Sequence, residues 1–114
     1  MNSVATEKSY AFAVRIVKLC KYLRDQKKEF QMSQQLQRAG TSIGANIREA
    51  FFASSRADFI AKLQIALKEC SETEYWIELL TESGYYEDTT ILNHCIEVKR
   101  ILIASINTAK GKPE

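Results

Sequence analysis

The chain has 114 residues and a mass of 13.0 kDa, enough for one domain around a single core and too little for two. Hydrophobic residues make up 46% and charged residues 26%, with four glycines and one proline, Pro113; this excludes a disordered chain and lets helices run uninterrupted. A net charge of +2 cannot by itself drive binding to a polyanion, so nucleic-acid affinity would rest on how the charge is distributed.

The spacing predicts a first helix over residues 7–28, with Phe12, Ile16, Leu19, Cys20 and Leu23 on its core face. Its other side is basic: Lys18, Lys21, Arg24 and Lys28, with Arg15 and Lys27 at the margins. Residues 29–32 break the pattern, and Ser33 reads as the N-cap of helix 2, without a full capping box because Gln34 and Gln35 follow. So short a connection makes helices 1 and 2 antiparallel neighbours.

Helix 2 is expected over residues 33–52. Leu36, Gly40, Ile43, Ile47 and Ala50 recur at the spacing of one buried stripe. Arg38, Ser42, Asn46 and Glu49 form a polar line along one edge, where i, i+4 and i, i+3 neighbours can interact. Ala39, Gly40, Gly44 and Ala45 make the helix thin, and each of the two glycines costs about 1 kcal/mol against alanine unless close packing compensates. Another helix is therefore expected to pass very near.

Helix 3 is expected over residues 55–83, capped by Ser54 or Ser55, with Asp58 in its first turn. Phe59, Leu63, Ala66, Cys70, Thr73, Ile77 and Leu80 hold heptad spacing; a second line, Ile65, Glu69, Glu72, Trp76 and Leu79, has apolar ends and an acidic centre. Gly84 fits a C-terminal cap. Helix 4 is expected over residues 88–109, from Asp88 or Thr89, with Ile91, Cys95, Val98, Leu102, Ser105 or Ile106, and Ala109 inward and Leu92, Ile96 and Ile103 as a further stripe. The tail 111–114 is expected to fray. There is no internal repeat, so an all-α fold in one domain, 1–114, is the expectation.

The run QLQRAGTSIGANIREA, followed by Ser55, Asp58-Phe59, Ala66, Glu72 and Trp76, resembles the signature of the small four-helix bundle proteins first noticed as reading frames in intervening sequences of bacterial 23S ribosomal RNA. The likeness spans roughly residues 12–86. It implies an up-down-up-down bundle that assembles into a ring-like homopentamer, with no established enzymatic activity. Accessory proteins of diversity-generating retroelements share this fold and bind a reverse transcriptase and nucleic acid, which implies a protein partner of that kind as well. The chain departs from the pattern at Ala50, where a glycine commonly follows the glutamate, so the resemblance does not place the corner between helices 2 and 3.

Catalytic and metal chemistry find little support. Cys20, Cys70 and Cys95 are odd in number, lie on apolar stripes and read as buried thiols in a reducing compartment. The only histidine, His94, points about 100° away from the adjacent Cys95 on a helix and is expected at the surface. No Glu-x-x-His exists for a di-metal carboxylate site, and no nucleophile–His motif or Gly-rich loop is present. Catalytic residues, metal ligands and cofactors are therefore none, and a bundle enzyme is the last of three readings. No apolar run reaches the roughly 18 residues of a membrane span, and the start MNSVATEKSY lacks a signal-peptide pattern, so a cytoplasmic, membrane-free protein is expected.

The signs of charge are segregated. Residues 8–28 hold seven basic side chains and one acidic, Asp25, whereas residues 56–82 hold six acidic and three basic. The leading reading is an oligomeric scaffold binding RNA or DNA through Arg15, Lys18, Lys21, Arg24 and Lys28, a patch that a cyclic oligomer would repeat. Tyr10 and Tyr22 are the only aromatics near it, so little base stacking is expected. The alternative is a protein-docking module using acidic helix 3 or an apolar rim. Two apolar stripes on helices 3 and 4 put Trp76, Leu79, Leu92, Ile96 and Ile103 at subunit contacts. Arg38, Ser42, Asn46 and Glu49, with Glu69 and Glu72, are expected as buried or half-buried polar groups fixing helix register or a subunit seam, the three glutamates pairing with Arg38 or Arg48.

Overall fold

A computed structural model describes residues 3–111, in four α-helices: α1 (Val4–Gln26), α2 (Gln31–Ala50), α3 (Arg56–Glu82) and α4 (Thr90–Ala109). Each boundary has a local cause. Ser3 is extended and its Oγ accepts from the Thr6 N–H at 3.0 Å, which starts α1 three residues earlier than the periodicity suggests. The helix ends at Gln26 because Lys28 turns left-handed (φ 54°) and the Glu29 N–H closes onto the Leu23 carbonyl at 3.0 Å. Lys28 therefore stands in the connection and not on a helix face, contrary to expectation.

Ser33 is not a cap. It lies inside α2, fully buried, its hydroxyl donating to the Glu29 carbonyl at 2.9 Å. The cap comes from the Glu29 carboxylate, which accepts from the N–H groups of Met32 (3.1 Å) and Ser33 (2.8 Å), while Phe30 occupies the N-cap position without a side-chain bond. At the next corner Ser55 is extended, its Oγ accepts from the Asp58 N–H at 3.1 Å, and the Asp58 carboxylate accepts from the Ser54 N–H at 3.3 Å. The arrangement is close to a capping box, but the carboxylate reaches the N–H one residue before the N-cap and not that of Ser55 itself. Gly84 (φ 84°) ends α3: its N–H donates to Thr81 O at 3.1 Å and the Tyr85 N–H to Leu80 O at 2.9 Å. Asp88 precedes α4 and accepts from the Thr90 N–H at 2.9 Å, so the helix begins two residues after Asp88.

One hydrophobic cluster draws on all four helices, from Phe12, Ile16 and Leu23 through Leu36, Ile43 and Ile47 to Leu63, Ile77, Ile91 and Leu102. Helix α1 packs on α2 and α4, and α3 packs on α2 and α4. Gly40 lies against Ile16 and Gly44 against Ser9, so the close approach foreseen for the thin helix is made by α1. Between the two inward candidates on α4, Ile106 is the buried one and Ser105 is half-buried. The bundle measures 45 × 24 × 21 Å. Among the described residues no helix is long and apolar enough to cross a membrane.

All three cysteines are free and buried. Burial pushes the Cys20 thiol up to about 11, and its Sγ donates to the Ser33 carbonyl at 3.3 Å. Cys70 and Cys95 face each other with Sγ atoms 3.8 Å apart; the hydrogen bond with Cys70, then burial, keeps the Cys95 thiol protonated. His94 departs from its surface assignment. It is half-buried between α4 and α1, edge-on to Phe12 with ring centroids 5.1 Å apart. The periodicity put it off the core stripe, and Phe12 reaches past that stripe to cover it.

Candidate nucleic-acid interface

The acidic centre of α3 is paired within the chain, at the surface of the bundle. Arg38 of α2 donates to Glu69 (3.1 Å) and to Glu72, and the Trp76 indole N–H also donates to Glu72 at 3.1 Å. Those two bonds, Trp76 first and Arg38 second, hold the Glu72 carboxyl below its usual range. Glu74 pairs with Lys99 of α4 at 2.8 Å, and Asp58 is used at the helix cap.

The basic side of α1 is different. Arg15 is committed to the start of α4, where it donates to Asp88, just before the helix, at 3.3 Å and to the Thr90 hydroxyl at 2.8 Å; it forms a helix seam and does not join an open patch. Lys8 pairs with Glu97 at 3.5 Å, and Lys21 with Asp25 on its own helix at 2.9 Å. Arg24 leans onto α2, where its partner is the neutral Gln37 Oε1 at 2.9 Å. Lys18, Lys27 and Lys28 are exposed and, among the described residues, form no ion pair. Arg48 is likewise without a carboxylate partner and sits 5.2 Å above the Tyr10 ring. Unpaired positive charge thus lies along the outside of α1, the α1–α2 connection and the near edge of α2, and, among the described residues, Arg56 and Lys68 of α3, Arg100 of α4 and Lys110 after it are outside the ion pairs too.

Two features of this surface are not apparent from the sequence. Beside Tyr10, already placed near the patch and 58% exposed, Val14 and Val17 are 39% and 42% exposed and lie among the lysines, so the face is mixed and not purely basic. Their i, i+4, i+7 spacing was visible, but the apolar stripe of Phe12, Ile16 and Leu23 took precedence over it. Phe30, 57% exposed, projects beside an open cavity of about 480 Å³ lined also by Arg24, Gln34, Gln37, Arg38 and Thr41. It fell in the stretch that broke the helical pattern, where no period marks a side chain's direction.

Of the polar line on α2, Arg38 and Glu49 bridge to α3, while Ser42 and Asn46 are half-buried, as expected, but bond within their own helix. Ser42 donates to the Arg38 carbonyl at 2.6 Å and Asn46 to the Ser42 carbonyl at 2.9 Å, both within α2. Glu49 is exposed and pairs with Lys62 at 3.4 Å, not with an arginine. Arg38 does cross to α3, as described. Trp76, Leu79, Leu92 and Ile96 are half-buried, Trp76 and Leu92 against the core, and Ile103 is 42% exposed.

The family model for the 23S rRNA-intervening sequence protein matches residues 1–104. The chain belongs to this family. Its fold is similar to the crystal structure of a protein with unknown function from the S23 ribosomal protein family from Bacteroides thetaiotaomicron, at 56% sequence identity and a TM-score of 0.89, covering 90% of this chain and 98% of that chain. A comparison with curated proteins finds no match. This chain and that protein thus share the fold.

Proposed function

We propose that the protein is a non-enzymatic, cytoplasmic scaffold that binds RNA through the outside of α1 and the α1–α2 connection. The observation that carries this is the local charge: Lys18, Lys27 and Lys28 face solvent outside any ion pair among the described residues, and the one carboxylate within residues 8–28, Asp25, is taken by Lys21. A phosphate backbone is the ligand that such scattered, uncompensated lysines fit best, because each contact releases a condensed counterion and demands no fixed geometry.

The bundle is read as up-down-up-down, supported by the pairings of Gly40 with Ile16 and Gly44 with Ser9, and of Arg38 with Glu69 and Glu49 with Lys62. Assembly into a cyclic homo-oligomer, a pentamer by family likeness, is supported by large exposed apolar side chains including Ile65 and Ile103 at 43% and 42% exposure. A mass in solution equal to a single 13.0 kDa chain would overturn the assembly.

The second reading, a protein-docking module, is favoured by Phe52, 81% exposed at the α2–α3 corner. Binding of labelled RNA at low salt separates the two. Lys18→Glu with Lys27→Glu and Lys28→Glu should abolish binding, whereas Glu78→Lys with Glu82→Lys on α3 should not weaken it. Equal affinity in the triple variant, or no binding by the unaltered protein, would overturn the RNA reading.

A further inference from the structure

Phe30 has no structural duty that explains it. The N-cap position normally carries Ser, Thr, Asp or Asn, but here Glu29 does the capping, so position 30 is released from that role. The ring is 57% exposed and makes no ring contact with another aromatic among the described residues. Around it the side chains are polar and well held. Arg24 is oriented by Gln37 at 2.9 Å, the Thr41 hydroxyl donates to the Gln37 carbonyl at 2.6 Å, and Arg38 on the far wall is neutralised by Glu69 and Glu72. Gln34 and Gln37 present amides, which can both donate and accept.

We propose that this corner holds one unpaired base of a single-stranded polynucleotide, stacked on Phe30 and contacted at its edge by Gln34 and Gln37, with the adjoining phosphates on Arg24, Lys27 and Lys28. The inference rests on the RNA-binding reading above and narrows it to single strands. In a duplex both faces of every base are already stacked, so a flat exposed ring beside guanidinium and ammonium groups gains nothing from it; an unstacked base can cover the ring. The cavity of about 480 Å³ is of a size that small-ligand sites use, roughly 300–1,000 Å³. Three of its six lining side chains are uncharged polar groups, which suit a base edge better than a second phosphate.

The test measures affinity for a labelled single-stranded RNA, the same sequence as single-stranded DNA, and an RNA duplex of equal length. Phe30→Ala should weaken single-strand binding about tenfold, leave duplex binding unchanged, and leave the salt dependence unchanged because no phosphate contact is lost. Phe30→Leu, which keeps apolar bulk without a π face, should behave like Phe30→Ala; Phe30→Trp should restore binding. Lys27→Gln should instead lower the log–log salt slope by about 0.7. A loss on RNA but not on DNA would assign the site to RNA, and a loss on both to single strands of either kind. If the unaltered protein binds but Phe30→Ala changes nothing, or weakens duplex and single strand alike, the stacking site is wrong while the charge reading stands. If the unaltered protein binds none of the three probes, both fall.

Discussion

Gly40 and Gly44 sit one turn apart on the same helix, yet alanine at the two positions should move stability in opposite directions. A Cβ at Gly40 would lie 2.8 Å from Ile16 Cγ2 and 2.9 Å from its Cγ1. Ile16 is fully buried and β-branched, so it cannot swing away, and α1 and α2 must separate instead. Overpacking of this kind costs about 1–3 kcal/mol, against a gain of about 1 kcal/mol from replacing glycine within a helix. At Gly44 the nearest atom to a new Cβ is Ser9 Oγ at 3.4 Å, an ordinary contact, so the helical gain is kept. Thermal unfolding at one fixed protein concentration should therefore show Gly40→Ala lower by several degrees and Gly44→Ala higher by up to about 5 °C. Shifts of the same sign would refute the claim that α1 crosses α2 most closely at Ile16.

His94 should make stability depend on pH above the carboxylate range. Burial, then Arg15, holds its imidazole below the ordinary value of 6.5, so the unfolded chain takes up a proton before the folded one does. Stability should fall as pH drops through about 6.5 and level off below the folded value. Melting between pH 7.5 and 5.5 should show the fall in the unaltered protein and not in His94→Gln; an identical slope in both would contradict the assignment. Ser55→Ala should cost about 1 kcal/mol through loss of the bond to the Asp58 N–H, whereas Ser54→Ala should cost nearly nothing, because only its backbone N–H is used. Denaturant midpoints of the two variants would decide it.

The core was legible because heptad spacing on four helices leaves one inward solution: every residue placed inward on α1 is buried, as are Leu63, Ala66, Cys70, Thr73, Ile77 and Leu80 on α3. Helix starts were less legible wherever the cap came from outside the cap position. Glu29 and Asp88 reach forward to N–H groups of α2 and α4, so the spacing points to Ser33 for α2 and to Asp88 or Thr89 for α4, of which Thr89 is the N-cap position observed. The charged surface was half legible. Sequence shows which side of α1 is basic, but not that Arg15 is taken by Asp88 across more than seventy residues of chain, nor that Gln37 holds Arg24 toward α2. Ser42 and Asn46 share an edge, as their spacing shows, but each finds a carbonyl one turn back within its own helix before any neighbour can compete. Phe30 had no period to betray it.

If phosphate contacts from Lys18, Lys27, Lys28 and their neighbours drive binding, a salt titration of single-stranded RNA affinity shows it most directly. Between about 50 and 200 mM salt the logarithm of the affinity should fall linearly with the logarithm of the salt concentration, and the Lys18→Glu, Lys27→Glu, Lys28→Glu variant should lose at least about 2 units of that slope. An affinity that is independent of salt, or a slope that the triple variant leaves intact, would contradict it.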